Sequence, residues 1–369
     1  MDAELKINKL FVKYHNLPVG TLMMSPTEDV VVFQYSKQWL ADGFSISPVE
    51  LPLNNKVFIA PRRPFYGNFG VFEDSLPDGY GRYLLNRMLK SKGIDEFSLN
   101  PLQRLSIVGS SGMGALCYEP EITISSNSSI SDLNLLQQQA LAVLSEKTDD
   151  MVDALYFMSG NSGGCRPKCV LKDDEGEWLV KFRHTYDPQD IGIMEFRTMQ
   201  LARQCGIDVP QFKLFENKYF ASRRFDIAED GTRLHVATAA ALLSLSINPP
   251  MADYKQLLNL TGYLTQSPAA VEQMFRRMVF NVLIENKDDH AKNFSFIARE
   301  DGSWQLAPAY DILPFPEGYH GQHATSVLNN GNPTEDDMLK AGEGIRISKK
   351  HGKEILKEMK EIINFSRHA

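Results

Sequence analysis

The spacing of apolar positions changes along the chain and predicts regions of different structure. Near the start, residues 5–14 and 30–35 have the pattern of strands, separated by a turn at 16–20, and helical spacing appears within 72–90. A glycine-rich stretch at 109–114 follows an apolar pair. It lacks the lysine that a phosphate-binding loop of the Walker type carries, so a turn before a final strand is the favoured interpretation.

The middle of the chain has the pattern of a small β-sheet with one helix. The helix is predicted over 191–205, where it ends before Gly206 in the position that glycine commonly takes after a helix. Two hairpins are predicted, 169–172 with 178–182 and 212–215 with 219–223. This region is therefore expected to form a compact β-rich lobe.

Helical patterns dominate after Asp226. In 271–285, apolar residues recur at i, i+3, i+4 and i+7, which is typical of a buried core helix, and a shorter amphipathic helix is predicted over 352–363. The fold class is predicted to be α+β, in four segments: a mixed α/β N-terminal domain (1–120), a Ser-rich linker (121–135), a small lobe (136–226) and a helical large lobe (227–369).

Composition narrows the class of protein. At 369 residues the chain is long enough for two or three domains, and its net charge of −7 argues against binding nucleic acid by overall electrostatics. A local basic patch or a DNA-binding partner stays open. The four cysteines form neither a CxxC pair nor a zinc-type array, and no segment has the pattern of a signal peptide or membrane span. A soluble, cytoplasmic protein without a membrane partner is expected.

The most informative motif is an acidic run at 286–293. Asp288 and Asn293 stand five residues apart, the separation of the catalytic base and the metal-binding Asn in protein kinases. A hairpin with an Asp301-Gly302 turn follows, and its return should bring Asp311 to the same open end as Asn293. Carboxylate and amide oxygens gathered in this way suit Mg²⁺ and phosphate chemistry. A solvated acidic loop is the alternative.

Two further residues of the run have less certain roles. His290 is expected to brace the loop rather than transfer protons, while a contact with the nucleotide also stays open. Asp289 is either a second metal contact or an exposed side chain. A metal-dependent phosphoesterase using Asp288, Asp289, His290 and Asp311 is an alternative function, although such a site generally needs more ligands.

The predicted small lobe offers a lysine and a carboxylate of kinase type. In 178–182 the alternation places Trp178, Val180 and Phe182 on one face and Lys181 on the other. Glu195, on the following helix, is a candidate partner for a strand-Lys to helix-Glu ion pair that positions ATP phosphates. An ordinary exposed strand lysine is the alternative.

A glycine-rich segment at 159–168 precedes this hairpin, where a kinase phosphate-covering loop belongs. Glycines permit close approach of the backbone to phosphate, and two cations add charge. The candidate nucleotide contacts here are Ser162, Gly163, Gly164, Arg166 and Lys168, and the candidates for autophosphorylation are Ser159 and Ser162. Backbone groups from Arg223 to Phe225 are candidates for the adenine contact. Arg224 and Asp226 are read as an ordinary surface pair in the alternative interpretation.

With these motifs assembled, the chain resembles the HipA family of bacterial serine/threonine kinases, toxins of type II toxin–antitoxin modules. The resemblance lies in 162–168, 178–182, 224–226, 286–294 and 309–311, and it extends to Leu76-Pro77-Asp78-Gly79 and 108–116 in the N-terminal region. It implies a bilobal kinase-like core, with ATP and Mg²⁺ as cofactors. Asp288 would be the catalytic base, Asn293 and Asp311 the Mg²⁺ ligands, Lys181 the phosphate lysine, and residues 223–225 the hinge.

The resemblance also implies a biological setting. Family members phosphorylate proteins of the translation machinery such as aminoacyl-tRNA synthetases, and a small helix-turn-helix antitoxin inhibits them and contacts operator DNA on their behalf. They silence themselves by phosphorylating a serine of the glycine-rich loop, whereas this chain has Asn161 at that position with Ser162 beside it. An ATP-binding pseudokinase that acts as a corepressor with such a partner is the alternative function.

Overall fold

The computed structural model describes residues 7–122, 132–148, 151–159 and 163–368, without the side chains of 367 and 368. Most of the predicted linker, together with Asn161 and Ser162, lies outside these residues. Contacts divide the chain into two compact units. The first contains residues up to 193 together with 213–236, and the second contains 194–212 and the chain from 237 onward.

The first unit begins with a five-stranded sheet in the order β4-β3-β2-β1-β5. Its strands are β1 (Lys9–Tyr14), β2 (Leu17–Met24), β3 (Val31–Tyr35), β4 (Phe58–Ile59) and β5 (Leu116–Glu119). The turn predicted at 16–20 is wrong. His15 and Asn16 alone form the connection, with φ angles of 47° and 67°, so β2 starts at Leu17. Two left-handed residues match the twist of paired strands, and asparagine adopts that conformation readily.

Before residue 160, the described part of this unit contains six α-helices, and the last four of them contribute to one hydrophobic core cluster. They are α1 (Lys37–Asp42), α2 (Gly70–Glu73), α3 (Gly79–Ser91), α4 (Pro101–Val108), α5 (Leu133–Leu144) and α6 (Val152–Ser159). Leu84 and Met88 of α3, Leu136 of α5 and Leu155 of α6 are buried in one cluster, which continues into the small sheet through Trp178 and Val180. The 72–90 prediction captured α3 but not the short α2 before it.

The small sheet has the order β6-β7-β9-β8. Its strands are β6 (Lys168–Asp173), β7 (Gly176–Lys181), β8 (Phe212–Phe215) and β9 (Tyr219–Arg223), and helix α7 (Ile191–Gln204) runs between β7 and β8. Both predicted hairpins are confirmed. The predicted alternation is also confirmed, because Trp178, Val180 and Phe182 are all buried while Lys181 is half-exposed.

A buried ion pair anchors the chain after β9. Arg224 donates two hydrogen bonds to Asp226, at 3.0 and 2.7 Å, and a third to Glu177 at 3.2 Å. Asp226 also accepts the Gly114 N–H at 2.9 Å and is only 2% exposed, so the expectation of an ordinary surface pair is wrong. Burial alone raises the pKa of Asp226, but the hydrogen bonds and charge of Arg224 outweigh it and hold that pKa below its usual range.

The second unit is mainly helical. It contains β10 (His235–Thr238, which starts in the first unit), α8 (Ala239–Leu242), β11 (Ala252–Asp253), α9 (Tyr254–Thr265), α10 (Pro268–Leu283), β12 (Ser295–Ala298), β13 (Trp304–Leu306), β14 (Thr325–Ser326), α11 (Glu335–Glu343) and α12 (Lys349–His368). Met274, Phe275, Met278 and Val279 of α10 are buried, as the periodicity predicted. The C-terminal helix is longer than the predicted 352–363.

The structure bears on two expectations from composition, the state of the cysteines and the membrane-span pattern. All four cysteines are free thiols, and Cys169 and Cys205 are buried. None of the helices in the described ranges combines the length and the apolar character that crossing a bilayer requires.

Replacing Arg224 by methionine should strongly destabilise the first unit. The change leaves the Asp226 carboxylate buried without its cation, and breaking a buried pair in this way costs about 3–5 kcal/mol of the free energy of unfolding. The native pKa of Asp226 is lowered, so the pair stabilises the fold above pH ~4 and loses that contribution as the pH falls through the native pKa. Urea unfolding at several pH values would measure both effects.

The control for this variant is Lys340→Met, because Lys340 pairs with Asp336 on an exposed helix face. It should change the free energy of unfolding by less than about 0.5 kcal/mol. The difference in the free energy of unfolding between wild type and Arg224→Met should become smaller in acid. A difference that is small at pH 7, or that stays constant with pH, would contradict a stabilising ion pair between Arg224 and Asp226.

Candidate active site

The acidic run follows the end of helix α10 and turns sharply away from it. Glu285 has a φ of 55°, which reverses the chain direction after the last helical turn. Asn286 then bonds back to the helix, through its N–H to the Asn281 carbonyl at 2.9 Å and through its Nδ2 to the Asn281 Oδ1 at 3.0 Å. The start of the loop is thereby fixed to the core helix.

Asp289 is the buried centre of this loop. It is fully inaccessible to solvent, and three groups donate to its carboxylate: the Tyr254 hydroxyl at 2.8 Å, the His323 Nδ1 at 3.1 Å and the Thr325 N–H at 3.1 Å. The Thr325 hydroxyl donates to its backbone carbonyl. Asp289 is therefore not an exposed residue, and protein donors already engage both of its carboxylate oxygens.

Tyr254 links this carboxylate to helix α10. Its hydroxyl accepts a hydrogen bond from Asn281 Nδ2 at 2.9 Å and donates to Asp289. Burial, and then the neighbouring charge of Asp289, raise the pKa of Tyr254 well above 10. The hydroxyl thus keeps its proton and remains a donor. A chain of hydrogen bonds runs from Asn286 through Asn281 and Tyr254 to Asp289.

Asp288 has the opposite environment to its neighbour. Its side chain is exposed at the surface of the loop, whereas that of the next residue, Asp289, is buried. A short 3₁₀ turn, Ala291–Asn293, follows, and Asn293 Nδ2 donates to the Asp288 carbonyl at 2.9 Å. Because Nδ2 is engaged in this way, Oδ1 is the Asn293 atom that can act as a metal ligand.

The predicted hairpin is confirmed, and it returns the chain beside Asn293. Strands β12 and β13 pair antiparallel around Asp301-Gly302, and the Ala307 N–H donates to the Ser295 carbonyl at 2.9 Å. Further along, the Tyr310 hydroxyl donates to the Lys292 carbonyl at 2.6 Å. Ser295 Oγ lies 2.5 Å from the same hydroxyl and is its donor. Tyr310 therefore fastens the segment before Asp311 to the loop that carries Asn293.

Asp311 itself has a left-handed backbone, with a φ of 55°. Residues other than glycine adopt this region infrequently, and such outliers concentrate at functional sites. The strand before it is held from both sides. Arg277 Nη2 donates to the Ala307 carbonyl at 2.6 Å, and the Ala309 N–H donates to the Asp208 carbonyl at 2.7 Å. Sequence reasoning missed Arg277, although a cation directly before the apolar positions 278 and 279 of a core helix was the available signal.

His290 precedes the 3₁₀ turn and does not act as its side-chain cap. Among the residues that the structure describes, no hydrogen-bond partner reaches its buried Nδ1. The bracing role expected for His290 is instead met, within this loop, by Asp289. The role of His290 toward a nucleotide stays a prediction.

The donor set can be tested for its fit to Mg²⁺. In the described ranges, no three His, Cys, Asp or Glu side chains come together as a ready-made metal centre. Asn293 and Asp311 offer one amide and one carboxylate from the open end of one hairpin. Mg²⁺ is usually held by one or two carboxylates together with water and substrate phosphates, so these oxygen donors fit it.

The remaining predicted site residues lie in the first unit, apart from Glu195. Arg166 forms a two-pronged ion pair with Asp187, at 2.9 Å for both hydrogen bonds, and Lys168 Nζ donates to the Gly163 carbonyl. Lys168 is only 5% exposed. Both cations predicted to contact phosphate thus have protein partners that position the glycine-rich segment.

The strand lysine and its proposed partner fall in different units. Lys181 ends β7, with its Nζ 5.8 Å from the centre of the Phe220 ring, whereas Glu195 is buried in α7 within the second unit. Their ion pair stays a prediction. Arg223 ends β9 and Phe225 is half-buried just beyond it, and the adenine contact proposed for 223–225 also stays a prediction.

Of the two candidate phosphorylation sites, only Ser159 belongs to the described residues. It closes helix α6, is fully buried, and its hydroxyl donates to the Tyr156 carbonyl at 2.7 Å. Phosphorylation at Ser159 would require this helix end to open.

A small antiparallel sheet that carries a strand lysine, followed by a helical unit with an Asp–Asn loop and a hairpin, defines a protein-kinase-like fold. Residues 160–364 match the HipA-like C-terminal domain, and residues 10–119 match the HipA N-terminal domain. The chain belongs to the HipA family.

Individual relatives agree with this assignment. The serine/threonine-protein kinase toxin HipA of Shewanella oneidensis is 23% identical, over 86% of this chain and 78% of its own. Y4dM of Sinorhizobium fredii, described as a candidate kinase, is 30% identical, but the match covers only 42% of this chain and 41% of that relative. The solved Shewanella HipA, in complex with HipB and operator DNA, shares the fold with a TM-score of 0.70 and 19% identity, over 96% of this chain and 90% of that one.

Replacing Tyr254 by phenylalanine should destabilise the second unit. The change removes one donor to the buried Asp289 and leaves Asn281 Nδ2 without its acceptor, for a loss of about 1–3 kcal/mol in the free energy of unfolding. Tyr263→Phe is the matched control, because Tyr263 lies on the same helix and is 59% exposed. It should change the free energy by less than about 0.5 kcal/mol. If urea unfolding shows equal losses for Tyr254→Phe and Tyr263→Phe, the hydrogen bonds around Asp289 do not stabilise the loop.

Proposed function

We propose that the protein is a Mg²⁺- and ATP-dependent serine/threonine protein kinase. The observation that carries the proposal is the loop that exposes Asp288 while burying Asp289, with Asn293 and the hairpin-returned Asp311 at its end. Asp288 and Asn293 then have the spacing of a kinase catalytic loop, and Asp311 follows them in the order of the kinase metal-binding Asp. The family supports the same reaction, since its Shewanella member is named as a kinase toxin.

Each residue has a distinct part in the proposed transfer. Asp288 orients the acceptor hydroxyl and takes its proton as the oxygen–phosphorus bond to the γ-phosphoryl group forms, while the bond from the γ-phosphorus to the bridging oxygen breaks and ADP leaves. Asn293 and Asp311 hold Mg²⁺, which neutralises charge on the phosphate oxygens when it is bound with ATP. Lys181 contacts the phosphates, with Glu195 as the residue proposed to orient it, and 223–225 contact the adenine.

The acceptor and the regulator follow from family membership. We propose a protein of the translation machinery, by family an aminoacyl-tRNA synthetase, as the substrate whose phosphorylation arrests growth. A small helix-turn-helix antitoxin is the proposed inhibitor, and the chain would reach DNA only through it. The Shewanella HipA structure contains HipB and operator DNA, which supports a partner of this kind.

Replacing Asp288 by asparagine should lower phosphotransfer by about 10²–10⁴-fold, the usual contribution of a general base. The side chain is exposed, so the midpoint of thermal unfolding should stay close to that of the wild type. Incubation with Mg²⁺, labelled ATP and a cell lysate, followed by phosphosite mass spectrometry, would report the rate and the acceptor together.

Asp301→Asn is the control, since it makes the same change at the exposed hairpin turn. It should keep full activity. Labelling by Asp288→Asn at the wild-type rate would refute the assignment of the base. A wild type that binds ATP but transfers nothing would instead indicate the pseudokinase.

The location of Ser159 predicts which serine is modified, if either is. Its hydroxyl is buried and engaged by Tyr156, so Ser159→Ala should leave self-phosphorylation at the wild-type level. Ser162→Ala should remove it where it occurs. Phosphosite mass spectrometry of the purified protein after incubation with ATP would test both variants. Phosphate on Ser159 would contradict the prediction.

A further inference from the structure

The end of the glycine-rich segment is held by the start of helix α3. The Gly164 N–H donates to the Asp78 carboxylate at 2.5 Å, and the Gly164 carbonyl accepts the Tyr80 N–H at 3.0 Å. Both backbone hydrogen-bonding groups of Gly164 are therefore engaged by two residues of the N-terminal domain, Asp78 and Tyr80. All of these residues lie in the first compact unit.

Glycine is required on the α3 side of this contact. Gly79 has a φ of 46°, and a Cβ built there would lie 2.4 Å from the Gly164 carbonyl oxygen. Gly163 is less tightly confined, because its Cβ would lie 3.0 Å from Asp78 Oδ1, a side-chain atom. At Gly79 the two backbones meet at a distance that only glycine allows.

Asp78 has an unusual role for a residue in its position. It is the N-cap of α3, a place where aspartate commonly accepts a hydrogen bond from the first turn of its own helix. Within the described part of the chain its carboxylate makes no such cap and instead accepts from Gly164. A stabilising contact to the helix is given up, and a contact to the glycine-rich segment takes its place.

The helix that presents Asp78 is firmly seated. Tyr80, Leu84 and Met88 of α3 are each no more than 2% exposed, within the core cluster that includes β7. On the far side of the segment, Lys168 donates to the Gly163 carbonyl from β6. The 163–164 backbone is thus held between two rigid elements.

From this geometry we propose that Asp78 is a positioning residue of the nucleotide site. It sets the backbone conformation at Gly163 and Gly164 from the N-terminal domain, so that the glycine-rich segment is ordered for phosphate before ATP arrives. The inference rests on the proposed kinase function. It assigns the N-terminal domain a part in nucleotide binding. That part is indirect, because Asp78 holds the glycine-rich segment by a hydrogen bond and does not contact the nucleotide.

The same contact could instead hinder ATP binding, and the two possibilities predict opposite changes in ATP affinity when Asp78 is replaced. A carboxylate bonded to a loop N–H also resembles a bound phosphate oxygen, and it would then compete with ATP. Positioning predicts that loss of Asp78 weakens ATP binding, because the ordering cost falls on the nucleotide. Competition predicts that loss of Asp78 strengthens it.

The test uses the full-length protein with three variants. Asp78→Ala removes the acceptor, and Asp78→Asn keeps an oxygen that can accept the Gly164 N–H. Asp95→Ala is the matched control, since Asp95 caps a 3₁₀ helix of the same domain and its carboxylate accepts from its own turn, at the Phe97 N–H. Amide hydrogen exchange of 163–168 without nucleotide is measured first, and then KM for ATP and kcat.

Asp78→Ala should speed exchange in 163–168 and raise KM for ATP by about tenfold, as expected for the loss of one hydrogen bond to a charged group. The kcat should change far less, whereas simple loss of folded protein would lower kcat at constant KM. Asp78→Asn should restore most of both values, and Asp95→Ala should match the wild type.

Unchanged exchange or unchanged KM in Asp78→Ala, with an active wild type, would overturn this inference alone. A lowered KM would overturn it in favour of competition. A wild type that neither binds nor uses ATP would overturn the proposed function and this inference with it.

Discussion

The second unit depends on the burial of one charge, the Asp289 carboxylate. An ionised carboxylate without partners in a protein interior is so costly that it stays there only where the surroundings satisfy it. Here the hydroxyl of Tyr254, a ring nitrogen of His323 and the Thr325 N–H do so, and they come from separate parts of the chain. Once Asp289 points inward, its neighbour Asp288 is turned to the surface. The orientation of the proposed base is therefore set by the burial and hydrogen bonding of Asp289 beside it.

A second constraint places the oxygens of Asn293 and Asp311, the proposed metal ligands. The hairpin return is fixed by Arg277 and Asp208 on one part and by Tyr310 on another, so Asp311 takes its left-handed backbone conformation at a point with little freedom. Helix α10 contributes to both constraints, since Arg277 holds the return strand and Asn281 joins the Tyr254 network. The loop and the hairpin are thus both held by hydrogen bonds to the same core helix, α10. A change in the packing of this helix would move the proposed base and the proposed metal ligands together.

The features that the sequence predicted well are local ones. The Asp301-Gly302 hairpin and the 169–172 and 178–182 pairing depend on neighbours along the chain, where turn chemistry and side-chain alternation are decisive. The role of Asp289 could not be predicted, because its partners at 254, 323 and 325 are distant in sequence and look unremarkable there. The same holds for the burial of Asp226, whose hydrogen-bond donor Gly114 is distant in sequence. The wrong turn at 16–20 has a different cause, since His15 and Asn16 alone reverse the chain and proline at 18 is tolerated inside β2.

The first unit uses charge to shape the glycine-rich segment. Arg166 is neutralised by Asp187, whose carboxylate also accepts the His184 N–H at 2.8 Å, and the Lys168 ammonium is turned to a backbone carbonyl. A guanidinium already bound by both oxygens of a carboxylate contributes little net field at a phosphate. Among the cations predicted for this lobe, Lys181 is then the one on which phosphate neutralisation would depend most in the proposed transfer. The glycines supply shape, and Asp78, Arg166 and Lys168 hold that shape, so the segment can combine close backbone approach with a defined conformation.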